Sequence, residues 1–298
     1  MNATVRRIAR AIAPAPVRRH VRLLPAKRRI VATYGGIRRS PRLALRYLLF
    51  DHELDNFTYR IANTAELADF LADVLETDAA TVRRYIDELA GDRELAGALG
   101  ARLADRPDRN RSMPFGRRLG WYAIVRARRP QLVVETGVHD GLGSTALLRA
   151  LQRNRAEGFA GDLVSFDIRP GVGWLIPDWL RDHHRLVIGD SNTTLPATLG
   201  YQRIDMFNHD SDHRYAHESA EFESIAHRAS PRAVFLTDNA HASSAFSDFC
   251  DRRGLMFRYW GEVPREHFYP GAGIGMTVAG PEGIPAERSK AATTPGDV

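Results

Sequence analysis

Five carboxylates stand at the ends of five short apolar runs: Glu135 after LVV, Asp167 after LVSF, Asp190 after RLVIG, Asp210 after IDMFNH and Asp238 after AVFLT. Acids gathered at one edge repel one another unless a ribose diol, a positively charged ligand or a metal takes up their charge. A glycine-rich turn follows the first of them, in ETGVHDGLGST (135–145). Its spacing, Gly137, Gly141 and Gly143, is not the G-x-G-x-x-G of a dinucleotide fold, and no Gly-Lys-Ser/Thr makes it a P-loop. Glu135 at the strand tip would repel a pyrophosphate and suits an ammonium-bearing ligand. HDSDHRY (209–215) and TDN (237–239) gather hard oxygen donors that suit Mg2+. His213, three residues past Asp210, is a candidate base for a hydroxyl proton, and Asp210 itself is the other. A zinc site among His209, His213, His217 and His241 is the alternative, but the Glu of an H-E-x-x-H motif is missing.

These residues need a scaffold that brings strand ends together. The runs 132–136, 163–167, 185–190, 204–210 and 233–239 alternate with stretches of helical spacing, which predicts a mainly parallel sheet with crossover helices. Ligands of such sheets bind beyond the carboxyl ends of the strands. The runs 255–260 and 273–278 lack a helix-length spacer and predict an antiparallel pair at one edge. The expected fold is therefore α/β: a Rossmann-like, seven-stranded, mainly parallel sheet with an antiparallel last strand, preceded by a helical N-terminal region. Helices are expected after Asn63 and Thr81, with Leu67, Phe70, Leu71, Val74 and Leu75 on one face and Val82, Tyr85, Ile86 and Leu89 on the other helix's face. Another is expected over 117–128. The boundaries read as a basic arm at 1–50, a helical region at 51–111, a sheet domain at 112–280 and a loose tail at 281–298.

The segment Glu135-Thr-Gly137-Val-His139-Asp-Gly141 resembles motif I of class I S-adenosylmethionine-dependent methyltransferases. It is most similar to the form in metal-dependent O-methyltransferases of the catechol and caffeoyl-CoA type and in bacterial sugar O-methyltransferases, where a bulky residue replaces the middle glycine. The resemblance spans about residues 117–278. It implies that Glu135 and the Gly137–Gly141 backbone hold the methionine end of the cofactor. Asp167 would accept from the ribose hydroxyls, Ser144 and Thr145 would add contacts, and Asp190 would lie near the adenine or the donor methyl. The metal ligands would be Asp210, Asp238 and Asn239, binding Mg2+. Caffeoyl-CoA-type enzymes carry a lysine where His213 stands, so the base differs. The implied activity is O-methylation of a hydroxyl on a sugar, a glycolipid or another natural product. The rival readings are a hydroxylase-like or N-methylating enzyme on the same fold, and a catalytically silent membrane- or glycan-associated binding protein.

Composition narrows the classes. The chain of 298 residues is 44% hydrophobic and 26% charged, as in ordinary globular proteins. A single cysteine, Cys250, excludes an intramolecular disulfide and any multi-cysteine zinc site. The net charge of +6 conceals an asymmetry: residues 1–50 hold thirteen Arg/Lys and no Asp/Glu, so the remainder carries 29 bases against 36 acids. Pro14, Pro16, Pro25 and Pro41 are expected to break up this arm. It reads as attracted to an anionic membrane or glycan, or as a solvated tail or packed helical layer. No nucleic-acid reader motif accompanies the charge, and no signal peptide or membrane span is expected. A cytoplasmic protein is expected, peripheral to the membrane if the arm binds one, and 64–90 offers a face for a homo-oligomer. The segment PREHFYPGAGIG (264–275) reads either as a border of the acceptor pocket, through His267 and Tyr269, or as a packing loop.

Overall fold

The computed structural model describes residues 15–54, 56–106, 108–110 and 112–287, with side chains from Arg22 onward. The expected arm's first 14 residues and most of the expected tail lie outside this range. The described residues form two compact units, one within 15–63, 91–116 and 262–271 and the other within 64–90, 117–261 and 272–287.

The second unit holds the sheet. Its strands are β2 (Leu132–Thr136), β3 (Asp162–Asp167), β4 (His184–Ile188), β5 (Ile204–His209), β6 (Ala229–Asp238), β7 (Arg258–Gly261) and β9 (Gly273–Val278). The order is β4-β3-β2-β5-β6-β9-β7, with β4 to β6 parallel, and with β9 antiparallel to both β6 and β7. This is the expected fold. The parallel strands read as nearly continuous apolar runs because helices cover both faces. Chain order reverses between β2 and β5, and ligands of such sheets bind beyond the carboxyl ends of the strands at that point.

One face of the sheet packs on a core of Phe207, Phe222, Phe235, Phe246 and Phe249, in which the rings of Phe222 and Phe246 stack at 4.4 Å. Against the sheet also lies the helix Arg118–Arg128, whose Trp121, Tyr122 and Ile124 are fully buried. The helices Thr64–Leu75 and Ala79–Ala90 bury Leu67, Leu71 and Leu75, and Val82, Tyr85, Ile86 and Leu89. The first of these faces is rotated relative to the expected one, since Ala68 and Ala72 are buried while Phe70 and Val74 are only partly so.

The first unit is built from the helices Ala15–Thr33, Gly36–Arg39, Pro41–Phe50 and Arg93–Ala104. It also contains a two-stranded ribbon pairing β1 (Arg60–Ile61) with β8 (Pro264–Arg265). The prolines do not break up residues 15–50: Pro41 opens a helix, where its missing N–H costs nothing, and Pro25 lies inside another. The core here is aromatic, with Tyr47 and Phe268 at 4.3 Å among Phe57, Tyr59 and His267. Tyr269 stands at 4.8 Å from Tyr34 in the same cluster. His267 and Tyr269 thus belong to this unit's aromatic cluster, and His267 also lines a cavity of about 450 Å³ with Asp51, Tyr59 and Glu266. Among the described residues, no helix is long and apolar enough to cross a membrane.

Candidate active site

The turn after β2 is shaped by its neighbours. Gly137 adopts φ 83, and a Cβ there would lie 1.9 Å from the carbonyl oxygen of Asp210. Only glycine lets the chain leaving β5 pass so close. The ladder continues past the strand ends, with Gly137 N–H donating to Phe166 O at 2.8 Å and Asp210 N–H donating to Thr136 O at 2.8 Å. Gly141, at φ 95, then caps the helix Leu142–Ala156, and its missing Cβ leaves room for Gly173 and Ile176. The expected motif thus welds the β2 turn to the β5 loop.

Glu135 is 1% exposed. Its Oε2 accepts from Ser144 Oγ at 2.5 Å and Ser165 Oγ at 2.9 Å, while its Oε1 is buried without a partner. Burial pushes its pKa up to about 7, against the pull of the two serine hydrogen bonds. Directly beside it in register on β5 is Asn208, also fully buried, whose side-chain oxygen and nitrogen both lack partners. The positive charge of Arg118 is felt at Glu135.

The other expected cofactor residues also have partners within the chain. Asp167 Oδ2 accepts from the backbone N–H groups of Val138 and His139 at 2.9 and 3.0 Å, and Oδ1 from that of Arg169 at 2.9 Å. It braces the motif turn. The Ser144 hydroxyl is given to Glu135, and that of Thr145 to Gly141 O at 2.7 Å. Exposed Asp190 caps the helix Ser191–Leu199 by accepting from Asn192 N–H at 3.0 Å.

Across the switch point, the β5 and β6 ends bring Asp210, His213 and Asp238 together, with one donor atom of each within 4.8 Å of the others. His213 Nε2 stands 3.9 Å from Asp210 Oδ1 and 3.0 Å from Asn239 Nδ2. Burial lowers the pKa of His213 to about 4, so its imidazole is neutral at physiological pH, and its Nδ1 is buried without a partner. Burial and the charge of Asp238 together hold the carboxyl of Asp210 well above the usual range. Asp210 and His213 thus stand together as the two expected candidates for the base.

Two elements of the site were missed in the sequence. Arg117, just before the helix Arg118–Arg128, pairs through Nε and Nη2 with both carboxylate oxygens of Asp238. Its charge outweighs burial and holds Asp238 ionised, well below the usual carboxylate range. The divalent cation expected from the resemblance therefore does not fit these side chains: both Asp238 oxygens are taken, and Asn239 turns its amide to His213. The second element is Glu221 on the helix Tyr215–Ile225. It accepts from Thr136 Oγ1 at 2.7 Å, His209 Nδ1 at 2.6 Å, Ser211 Oγ at 2.9 Å and His217 Nε2 at 2.9 Å, and from Ser191 Oγ. Burial alone would raise its pKa, but these donors hold it far below the carboxylate range. The spacing of His217 and Glu221, four residues apart on one helix, was the signal available in the sequence. Nothing in the sequence distinguishes Arg117 from the other arginines.

Residues 134–240, which contain β2 to β6 and both halves of this site, match the family described as "Methyltransferase domain". Among solved structures, the chain is similar to the O-methyltransferase TomG from Streptomyces achromogenes, involved in tomaymycin synthesis and solved with SAM. Identity there is 20% over 63% of this chain and 90% of that one, at a TM-score of 0.48. The O-methyltransferase from Bacillus cereus, solved with SAH, is 14% identical over 72% of this chain and 96% of its own, at a TM-score of 0.42. The SAH-bound methyltransferase PaMTH1 from Podospora anserina is 13% identical over 62% and 87%, at 0.45. No curated protein matches the chain.

Proposed function

We propose that the chain transfers a methyl group from S-adenosylmethionine to a hydroxyl oxygen, on a sugar, a glycolipid or another natural product. The observation that carries this reading is the pair of unsatisfied polar side chains at the switch point, Glu135 and Asn208, under the glycine turn. Buried polar groups are rarely left without partners, and such orphans mark places where a ligand completes the site. A carboxylate with an unpartnered oxygen suits the ammonium of an amino-acid end, and the neighbouring charge of Arg118 suits its carboxylate. The cofactor's fit is tested by these residues and by the turn at Gly137–Gly141, which would hold it.

When bound, S-adenosylmethionine supplies an electrophilic methyl carbon on a sulfonium. The chain's own contribution is positioning, exclusion of water and proton removal. His213, neutral and half-buried at the strand ends, has a lone pair for the proton of the attacking hydroxyl. A base of low pKa suffices, because the proton becomes strongly acidic as the oxygen takes up carbon. The Asn239 amide N–H donates to His213 Nε2 at 3.0 Å, so the neutral ring carries its proton on Nδ1, and the lone pair that could take the hydroxyl proton is the one on Nε2, released when Asn239 turns away. Mg2+ is not part of this proposal, since Arg117 already takes both oxygens of Asp238.

The test is transfer of labelled methyl from S-adenosylmethionine to a panel of sugar, glycolipid and phenolic acceptors. Label in an ether product that survives mild acid supports the reading. Label only in amines would overturn the choice of oxygen.

A further inference from the structure

We propose that Arg117 is the resident cation of this site: its guanidinium stands where a divalent metal was expected, and methyl transfer proceeds without one. The inference rests on the methyltransferase reading above and adds how its charge is balanced.

Each expected metal ligand is already engaged. Asp238 gives both oxygens to the Arg117 fork, and the two side chains are 8% and 0% exposed. Asn239, held at φ 53 after β6, turns its amide to His213 Nε2 at 3.0 Å. Asp210, the remaining carboxylate, faces the same imidazole at 3.9 Å. Arg118, next in the chain, adds a second positive charge that acts on both Asp210 and Asp238.

A guanidinium is suited to this place. It is planar, always charged and matched to a carboxylate through two parallel donors. A dication entering the same space would strip Asp238 from Arg117. It would leave a buried guanidinium facing a metal of the same sign, in surroundings of low dielectric where that repulsion is strong. Removing Arg117, conversely, would leave two carboxyl groups, an amide and an imidazole within the reach of one ion, a donor set that oxygen-seeking metals accept. Arg117 acts here as a positioning residue. It fixes Asp238, and through the adjoining Asn239 it fixes the ring of His213.

The test uses Mn2+, whose free-ion paramagnetic resonance signal disappears on binding and which takes oxygen-rich sites. Full-length wild type and Arg117→Met are titrated, and each sample is also titrated with S-adenosylhomocysteine by calorimetry. The expected result is no loss of the Mn2+ signal with wild type, loss of one equivalent with Arg117→Met, and wild-type transfer unchanged by EDTA. One equivalent of Mn2+ bound by wild type and released in Asp238→Asn would overturn the proposal. Should Arg117→Met fail to fold, the wild-type titration decides alone. S-adenosylhomocysteine binding separates the two claims. If it binds while wild type also takes up Mn2+ at Asp238, this inference falls and the methyltransferase reading stands. If it does not bind, that reading falls, and the Mn2+ titration still decides the role of Arg117.

Discussion

At the scale of single residues, the site is defined by which polar atoms are spoken for. Glu221 gathers five donors and is thereby a structural anion. Glu135 keeps one oxygen unsatisfied and is thereby a candidate for a ligand. His213 is held neutral by burial, with one ring nitrogen turned to Asn239 and the other unpartnered. Replacing His213 by alanine is expected to lower kcat by roughly 10²- to 10⁴-fold, the usual contribution of a general base. Affinity for S-adenosylhomocysteine should stay unchanged, because His213 belongs to the acceptor side. Steady-state kinetics on an acceptor from the panel, beside a calorimetric titration, checks both halves. Equal losses in kcat and cofactor affinity would place His213 at the cofactor instead.

At the scale of elements, the glycine turn and the β5 loop are one unit. Gly137→Ala places a methyl 1.9 Å from the Asp210 carbonyl and forces a non-glycine residue to φ 83. The expected cost is about 2 kcal/mol or more, since strain of 1–3 kcal/mol adds to a clash with backbone. Urea unfolding of the variant measures it, and a loss under about 0.5 kcal/mol would contradict the close packing. The strands were legible because parallel strands buried on both faces leave continuous apolar runs, and LVVET coincides with β2. The start of β6 was not, because Ser230, Pro231 and Arg232 interrupt its apolar pattern. The ribbon of Arg60–Ile61 with Pro264–Arg265 has two residues a side and no periodicity to read. Strand-end acids were legible as a set, but their partners were not. Asp167, expected to accept from a ribose diol, also accepts from three backbone N–H groups of the motif turn and the following chain, bonds that leave it acceptor capacity for a ligand. Such bonds depend on where loops meet in space, which spacing along the chain does not record. Loss of binding in Asp167→Ala would therefore report a collapsed turn as readily as a lost contact.

At the scale of the whole molecule, buried histidines couple folding to acidity. In the sheet-bearing unit, burial lowers both His184 and His213 from an ordinary 6.5 to about 4. Between these values the unfolded chain binds the protons and the folded chain does not. Stability from this source is complete above about pH 6.5 and declines as pH falls towards 4. Each group contributes at most about 3 kcal/mol, from a shift of roughly 2.5 units at 1.36 kcal/mol per unit. Glu135, raised to about 7, takes up a proton in the folded chain over the same window and opposes this loss, so the check is on the imidazoles themselves. In NMR titrations of the folded protein the His184 and His213 ring signals should stay those of neutral imidazoles down to about pH 5, and titration near 6.5 would contradict their burial. His267 behaves in the same direction in the other unit, where burial also lowers it to about 4.

The central claim is that the β2–β5 switch point holds S-adenosylmethionine through Glu135 beneath the glycine turn. Calorimetric titration of S-adenosylhomocysteine into wild type and Glu135→Gln tests it most directly. One site is expected on the folded wild type. In Glu135→Gln, which keeps shape and loses the anion, binding should weaken at least roughly tenfold, the equivalent of one lost charge-assisted hydrogen bond. A wild type that stays folded and shows no binding would contradict the claim.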